Sequence, residues 1–373
     1  MNNRERLLAI LDHQPPDRIP WIPRILLWYN ARKLAGDVPA CFQGMTIREV
    51  EHALRIGTPA RDGRVFTTRR ENVEVVERRE GVQQIIEYHT PVGSVRQVTT
   101  ITPELERHGL PGRVEEFPCK GPADYKVWEY IVERTYWDAA YDAYRAYDAE
   151  VGPDGLPMIS IGDVPFHEFM QALAGYEYGF YQIADYPAEV AHLLQTMLEV
   201  QRARLWPVVA QSPAKLVLHG VHLSSQFTPP RYFDQYIIPY YDGLMSLLHA
   251  HGIAVAIHAD NDTSRIMAHI ERAGWDMVEC FVTAPMVPLT LERAREFWGT
   301  RMILWGCIPC SILSPSVSEE DFRDYIRNMF KVLAPGDAVI LGAADNVMPD
   351  SLIERVEWIS DYVEERGDYP LKG

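Results

Sequence analysis

Three residues suited to binding a metal stand at the ends of short apolar segments in the second half of the chain. His258, Glu279 and Cys307 follow three successive segments of this kind. Imidazole, carboxylate and thiolate all suit zinc, and a catalytic zinc takes three protein ligands and keeps one position open. If the segments are neighbouring strands, their ends converge around one cation. We therefore expect a divalent metal site with His258 and Glu279 as ligands and Cys307 or Asp260 as the third.

Further ionisable residues follow the same segments. Asp260 and Asp345 are additional carboxylates that could complete the metal shell or orient His258 from outside it. His222 and His167 are candidates for acid–base catalysis, and the alternative for each is a packed, hydrogen-bonded histidine. Cys310 has CxxC spacing to Cys307, but the segment has no partner CxxC, and a buried thiol is the simpler interpretation.

Substrate contacts are expected from polar and aromatic residues near the same segments. Asp163 follows one segment, and Ser224 and Ser225 follow the next. Trp28, Tyr29 and Asn30 end an earlier apolar segment and could line an aromatic pocket, although Trp and Tyr are as often packing residues. We predict substrate binding by Trp28, Tyr29, Asn30, Asp163 and Ser224.

The segments that must position these residues alternate with helical stretches. Each is short and apolar throughout, which is typical of parallel strands buried on both faces. They are Met158–Ile161, Leu216–Leu218, Ala254–Ile257, Met277–Val278, Met302–Trp305 and Ala338–Leu341. No GxGxxG loop follows any of them, so the repeated βα units favour a (β/α)₈ TIM barrel over a dinucleotide-binding domain. Barrel enzymes carry their chemistry on the loops after the strands.

The N-terminal half predicts helical and hairpin elaborations of a single domain, residues 1–373. A helix over Asn3–Leu11 ends before Pro15, and Ile19–Leu27 is apolar enough for a buried strand. Alternating polarity with Gly-containing turns predicts antiparallel hairpins within residues 71–100. The predicted hairpin strands are Val73–Arg79, Val82–Tyr88 and Ser94–Thr100. Residues 122–149 and 186–209 have helical patterns.

Composition excludes several classes of function. The net charge is −16 and no run of Lys or Arg stands out, so binding to nucleic acid or an anionic membrane is disfavoured. No segment approaches the roughly 20 apolar residues of a membrane span. The N-terminus does not resemble a signal peptide, and five scattered cysteines do not form a disulfide framework. We expect a cytoplasmic protein, for which a homodimer is one allowed state.

Several segments resemble the uroporphyrinogen decarboxylase superfamily. The resemblance spans nearly the whole chain and rests on motifs that are individually modest. They are Glu5-Arg6-Leu7-Leu8 with Pro16-Asp17-Arg18-Ile19-Pro20, Thr90-Pro91-Val92-Gly93-Ser94, Thr228-Pro229-Pro230-Arg231-Tyr232-Phe233, Ile238-Pro239-Tyr240-Tyr241, His251-Gly252, His258-Ala259-Asp260, and Gly342-Ala343-Ala344-Asp345-Asn346-Val347-Met348-Pro349. The resemblance implies a TIM barrel and one of two chemistries.

The resemblance favours the methyltransferase branch over the decarboxylase branch. The decarboxylases grip a tetrapyrrole through arginines in an N-terminal signature that is absent from the segment Pro23–Arg32. The corrinoid-dependent methyltransferases bind zinc through a histidine, a cysteine two residues later and a cysteine after the last strand. Here His258 matches the histidine and Asp260 replaces the first cysteine. The position of the last cysteine corresponds to the region of Ala343, where this chain has no such residue. Glu279 matches the glutamate that many related zinc methyltransferases use.

The resulting expectation is a zinc-dependent methyltransferase that exchanges a methyl group with a corrinoid (cobalamin) carried by a partner protein. Fewer thiolates make zinc a stronger Lewis acid, which favours a small methoxylated substrate and O-demethylation. Three alternatives stay open. They are methyl transfer from methylcobalamin to a thiol or folate, a decarboxylase with Arg24, Arg32 and Arg96 as cationic grips, and a non-catalytic ligand-binding barrel.

Overall fold

A computed structural model of the chain describes residues 1–107, 110–222, 224 and 227–372. Ser225 lies outside the described residues. Within these ranges, no helix is both long enough and apolar enough to cross a membrane. The chain divides into two compact units, one made of residues 1–63, 142–161 and 213–373 and the other of residues 64–141 and 162–212. The interpretation of residues 1–373 as one domain stays a prediction.

Strands and helices are numbered in chain order. The strands are β1 (Phe66–Arg70), β2 (Glu74–Glu80), β3 (Gln83–Thr90), β4 (Gly93–Thr100), β5 (Arg113–Glu116), β6 (Thr135–Ala139), β7 (Met158–Ser160), β8 (Leu216–Val221), β9 (Ala254–His258), β10 (Met277–Phe281), β11 (Ile303–Pro309) and β12 (Val339–Ala344). The helices are α1 (Asn3–Leu11), α2 (Leu26–Ala35), α3 (Ile47–Ala53), α4 (Pro103–Arg107), α5 (Pro122–Glu133), α6 (Tyr141–Val151), α7 (Pro165–Glu168), α8 (Tyr176–Asp185), α9 (Pro187–Val200), α10 (Trp206–Ala210), α11 (Pro230–Tyr232), α12 (Ile238–Ala250), α13 (Met267–Ala273), α14 (Leu291–Trp298), α15 (Glu319–Leu333) and α16 (Ile353–Arg366).

The first unit is built on a parallel sheet in which β7 to β12 lie side by side in chain order. Every residue of β10, β11 and β12 is buried, as the continuous apolar runs predict. The six predicted strand segments are therefore confirmed, and most extend one to four residues further. The extensions carry His258, Glu279 and Cys307 into the strand ends.

Two short extended segments complete a ring of eight parallel elements in this unit. The Ile22 amide donates to the Leu341 carbonyl of β12, and the Gly57 amide donates to the Trp21 carbonyl. Gly63 pairs in parallel with Ile159 of β7, and the Met158 amide donates to the Ala60 carbonyl. The segments 20–22 and 57–63 thus stand as the first and second strands of a (β/α)₈ barrel fold. Sequence patterns did not reveal the second.

The barrel interior below the site is a layer of apolar side chains. Ala256, Met277, Ile303, Trp305 and Ile340 belong to one buried cluster. Because strand side chains alternate between faces, the next inward positions after Ala256 and Met277 are His258 and Glu279. The polar site therefore rests directly on the apolar core.

The N-terminal strand prediction is partly wrong. Extended pairing ends near Ile22, and the chain enters α2 at Leu26. Pro20 and Pro23 cannot donate backbone hydrogen bonds to a ladder, which limits this strand to a few residues. Trp28, Tyr29 and Asn30 consequently lie within α2 and not at a strand end.

The second unit contains the predicted hairpins. Strands β2, β3, β4 and β5 form an antiparallel sheet in that order, and β1 pairs with β6. The turns fall at Gly81 and before Gly93, as the sequence predicts. The helix predicted over residues 122–149 is two helices, α5 and α6, because β6 interrupts it. The helical pattern over 186–209 is confirmed by α9 and α10, joined by a wider π-helical turn at Gln201–Leu205.

Candidate metal centre

His258 and Glu279 meet at the carboxyl ends of β9 and β10, where these strands pair in register. The His258 Nδ1 atom lies 2.6 Å from Oε2 of Glu279. The side chains are nearly fully buried, with exposed fractions of 5% and 2%. The prediction that these two residues come together is confirmed, and their contact leaves the Nε2 atom of His258 free to face other residues.

Asp260 and His222 lie on the Nε2 side of His258. Oδ2 of Asp260 is 3.5 Å from His258 Nε2 and 2.8 Å from His222 Nδ1. Asn261 donates to the other oxygen, Oδ1, at 3.0 Å. Ligand atoms of His222, His258 and Asp260 all lie within 4.8 Å of one another, so these three residues could hold one metal ion.

A second group overlaps the first and consists of His258, Glu279 and Cys280. Their ligand atoms also lie within 4.8 Å of one another. The Cys280 thiol donates to Glu279 Oε1 at 3.1 Å, and Arg61 forms an ion pair with the same carboxylate. Cys280 has φ of +54°, an uncommon conformation that departs from strand geometry. This turn of the backbone lets Cys280 share the site with its neighbour Glu279.

Cys307 joins neither group in the part of the chain that the structure describes. It is fully buried, and its electrostatic neighbours are Arg295 of α14 and Tyr325 of α15. Strict alternation after Ile303 and Trp305 would turn Cys307 inward. Gly306 and Cys307 have φ of +136° and +73°, which breaks the alternation. Of the two residues predicted as the third ligand, the structure brings Asp260 to His258 and not Cys307. It also brings Cys280, which was not predicted as a ligand.

Electrostatics at the site favour a positive charge between the carboxylates. Burial acts to lower the pKa of His258, but hydrogen bonds with Asp260, Cys280 and Glu279 outweigh it and raise that pKa to about 12. Burial acts to raise the pKa of Glu279, but Arg61, His258 and Arg24 outweigh it and lower that pKa to about 2. Burial raises the pKa of Cys280, which keeps it a neutral thiol. The carboxylates around His258 therefore favour a positive charge at this position.

Two arginines approach the site from the first two barrel segments. Arg24 follows the segment 20–22 and lies 3.1 Å from Asp345 Oδ1, which in turn is 4.0 Å from His258 Nε2. Arg61 lies in the segment 57–63. Sequence reasoning missed Arg61 because Gly57, Pro59 and Gly63 conceal a strand. Of the three arginines considered as grips, only Arg24 reaches the site; Arg32 pairs with Asp37 and Arg96 with Glu116.

The remaining predicted site residues have other surroundings. His167 and Asp163 lie in the second unit, with Nδ1 and Oδ1 separated by 3.5 Å. Ser224 Oγ accepts a hydrogen bond from the Phe227 amide in a turn. Their catalytic and substrate-binding roles stay predictions.

The aromatic residues of α2 have packing roles in the first unit. Trp28 packs edge-on against Phe42, and the Tyr29 hydroxyl donates to the Met45 carbonyl. Asn30 is exposed. Substrate binding by Trp28, Tyr29 and Asn30 also stays a prediction.

Comparisons with known proteins agree with this architecture. The family model of uroporphyrinogen decarboxylase (URO-D) matches residues 104–366, more than half of the chain. No curated protein sequence matches significantly. A solved structure, a methyltransferase from Methanosarcina mazei, is similar over 98% of this chain and 99% of its own, with a TM-score of 0.54 and 13% sequence identity. That likeness shows a shared fold, and the family match shows that the chain belongs to the uroporphyrinogen decarboxylase family.

Proposed function

We propose that this protein is a zinc-dependent methyltransferase that passes the methyl group of a small methoxylated compound to cob(I)alamin on a partner corrinoid protein. The observation that carries the proposal is the position of His258. One ring nitrogen contacts Glu279, and the other faces Asp260 within the group that includes His222. Two imidazoles and a carboxylate at the end of a barrel strand form a ligand set of the kind that catalytic zinc takes.

We assign the zinc to His222, His258 and Asp260, with Glu279 as the outer partner of His258. A zinc-binding histidine almost always donates its other N–H to a carboxylate, carbonyl or water, which fixes its tautomer. The 2.6 Å contact between Nδ1 and Glu279 has that geometry. His222 is half exposed and Asp260 is partly exposed, so a substrate could reach the open position. In this assignment His222 acts as a zinc ligand and not as an acid–base catalyst.

The alternative group of His258, Glu279 and Cys280 is less suited to catalysis. All three residues are buried, which leaves little access for a substrate. Glu279 is already paired with Arg61, and nitrogens of both Arg24 and Arg61 lie 3.6 Å from the Cys280 sulfur. Two guanidinium cations at the ligand atoms would oppose a metal cation there.

The protein residues orient the site for cleavage of a methyl–oxygen bond. A zinc ion, when bound, would act as a Lewis acid toward the ether oxygen. Glu279 orients the His258 ring so that Nε2 faces the other proposed ligands, and Arg61 in turn holds Glu279 in place. Asn261 hydrogen-bonds to Oδ1 of Asp260, so that Oδ2 is the oxygen that faces the proposed metal position. In the proposed reaction the carbon–oxygen bond would break with its electron pair on oxygen, which would take a proton from water. The methyl group would pass to the cob(I)alamin co-substrate, whose electron pair would form the new cobalt–carbon bond.

Glu279→Gln is expected to weaken zinc binding about 10- to 100-fold, the usual effect of losing an outer-shell carboxylate. Glutamine keeps the shape but removes the charge that supports His258. A competition titration with a chromophoric chelator measures the affinity. Glu296→Gln is the matched control, because Glu296 forms an exposed ion pair with Arg293. Equal zinc affinities for wild type and Glu279→Gln would show that Glu279 does not support zinc binding through His258.

The overall activity is tested by supplying zinc-loaded protein with cob(I)alamin and a set of methoxylated compounds. Methyl transfer is followed by the change in corrinoid absorbance. We expect methylcobalamin and the demethylated alcohol or phenol in equal amounts. A protein that binds zinc but transfers no methyl group from any ether, while methylcobalamin methylates a thiol or folate, would indicate the reverse reaction.

No turnover of uroporphyrinogen to coproporphyrinogen is expected. The arginine-bearing N-terminal signature is absent, and Arg32 and Arg96 are engaged in ion pairs with Asp37 and Glu116. The test is to incubate the protein with uroporphyrinogen without oxygen and to separate the products by chromatography. Formation of coproporphyrinogen above the protein-free blank would favour the decarboxylase alternative.

A further inference from the structure

We propose that Arg24 and Arg61 form a binding subsite for a carboxylate, so that the methyl donor is a methoxylated carboxylic acid. The identification of the methyl donor rests on the proposed function, whereas the carboxylate subsite itself does not. Arg24 follows the first barrel segment and Arg61 lies within the second, and both reach Cys280 beside Glu279. Each has a side chain about four-fifths buried, with exposed fractions of 22% and 21%.

Within the described ranges, Nη1 is the one nitrogen of each guanidinium that is engaged. Nη1 of Arg24 contacts Oδ1 and the carbonyl of Asp345 at 3.1 and 3.4 Å, and the Cys280 sulfur at 3.6 Å. Nη1 of Arg61 contacts Glu279 and the same sulfur, the latter at 3.6 Å. Among the residues that the structure describes, Nε and Nη2 of both arginines make no hydrogen bond. A guanidinium has five N–H donors in a fixed planar fork, so most of the donor capacity of both side chains is unused.

The two guanidiniums are close enough to act on one ligand. Both Nη1 atoms lie 3.6 Å from the Cys280 sulfur, so they are no more than about twice that distance apart. The sulfur that both arginines approach is only a weak hydrogen-bond acceptor, so it uses little of their donor capacity. Two guanidiniums this close together, each with donors left open, form a group suited to an anion from outside the chain.

A carboxylate fits this subsite better than a phosphate does. Glu279 and Asp345 already balance the two arginine charges, so a dianion would meet repulsion that a monoanion largely avoids. The planar carboxylate also matches the guanidinium fork, which binds it through two parallel hydrogen bonds. Asp345 links the two sites, since its Oδ1 atom lies 3.1 Å from Arg24 and 4.0 Å from His258. A small methoxylated acid would therefore place its ether near the proposed zinc.

The test compares ligand pairs that differ only in charge. Calorimetric titration of the zinc-loaded protein uses 4-methoxybenzoate against 4-methoxybenzamide, and methoxyacetate against methoxyacetamide. For at least one pair we expect the acid to bind wild type about 10-fold or more tightly than the amide, as hydrogen bonds to charged groups predict. Arg24→Gln and Arg61→Gln should each reduce this preference severalfold. Arg32 lies on α2 and is paired with Asp37, so Arg32→Gln should leave the preference for the acid unchanged.

Failure of the subsite and failure of the proposed function give different results. Equal binding of acid and amide by wild type in both pairs would overturn the subsite, even if methyl transfer occurs. Preference for the acid without any methyl transfer would support the subsite and contradict the proposed reaction. Circular dichroism confirms that the variants are folded. Since equal binding by wild type would overturn the subsite without any variant, the proposal stays falsifiable even if Arg61→Gln disturbs Glu279.

Discussion

Replacing His258 by alanine is expected to abolish methyl transfer and zinc binding while the protein stays folded. His258 contacts Glu279 through one nitrogen and faces Asp260 through the other, so its loss removes one of three proposed ligands. A metal site with two remaining ligands loses its geometry as well as its affinity. Without the Lewis acid the ether oxygen is a poor leaving group, and a barrier higher by several kcal/mol lowers the rate at least about 1,000-fold.

The stability of this variant is expected to change little compared with its activity. Residues at the carboxyl ends of barrel strands serve function more than stability, and Glu279 keeps its ion pair with Arg61 when His258 is removed. Corrinoid methylation measures the activity, elemental analysis measures the zinc, and circular dichroism measures the fold. His249→Ala is the control, because His249 pairs with Asp276 near the starts of β9 and β10, at the opposite ends of these strands from the ligand group. A folded, zinc-free His258→Ala protein with full activity would contradict a catalytic role for zinc at this site.

Gly306→Ala is expected to lower the free energy of unfolding by roughly 2–6 kcal/mol, from backbone strain and overpacking together. A Cβ atom on Gly306 would lie 2.6 Å from the Phe281 amide nitrogen and 2.8 Å from its carbonyl oxygen. Both are backbone atoms of the neighbouring strand β10 and cannot rotate away. The φ of +136° at Gly306 is a conformation that side-chain-bearing residues rarely adopt. Since typical proteins are stable by only about 5–15 kcal/mol, this variant should be severely destabilised.

Urea unfolding followed by tryptophan fluorescence and circular dichroism measures the change through the shift of the midpoint. Gly121→Ala is the control, because a Cβ atom there meets nothing within 4 Å, and the loss of a glycine N-cap costs about 1 kcal/mol or less. A midpoint for Gly306→Ala equal to that of wild type would contradict the tight approach of β10 and β11. It would also remove the explanation of why Cys307 turns outward.

The parts of the fold that the sequence predicted are those where one physical signal dominates. Continuous apolar runs mark strands buried on both faces, and all six such segments are strands in the sheet. His258 and Glu279 were expected to meet because each directly follows such a run, and the in-register pairing of β9 and β10 brings them together. The hairpins of the second unit carry the period-two polarity and turn residues that define this motif.

The parts that the sequence did not predict depend on backbone angles and on long-range pairing. Cys280 reaches the site and Cys307 turns away from it because both have positive φ, which residue types alone do not reveal. The segment 57–63 contains Gly57, Pro59 and Gly63, so it lacks a strand pattern, and it is held by hydrogen bonds to Trp21 and Met158. Arg61 was missed with it. Chain position gives no sign that this arginine pairs with a carboxylate more than 200 residues away.

The most direct test of the proposed zinc site is X-ray absorption spectroscopy at the zinc edge, combined with a metal count on the purified protein. The assignment to His222, His258 and Asp260 predicts one zinc per chain with only nitrogen and oxygen neighbours, at about 2.0–2.2 Å. Cys280→Ser should give the same spectrum as wild type. A sulfur neighbour at about 2.3 Å that disappears in Cys280→Ser would move the metal to the buried group of His258, Glu279 and Cys280. No bound metal in protein supplied with zinc would contradict the proposed zinc site and the methyl transfer that depends on it.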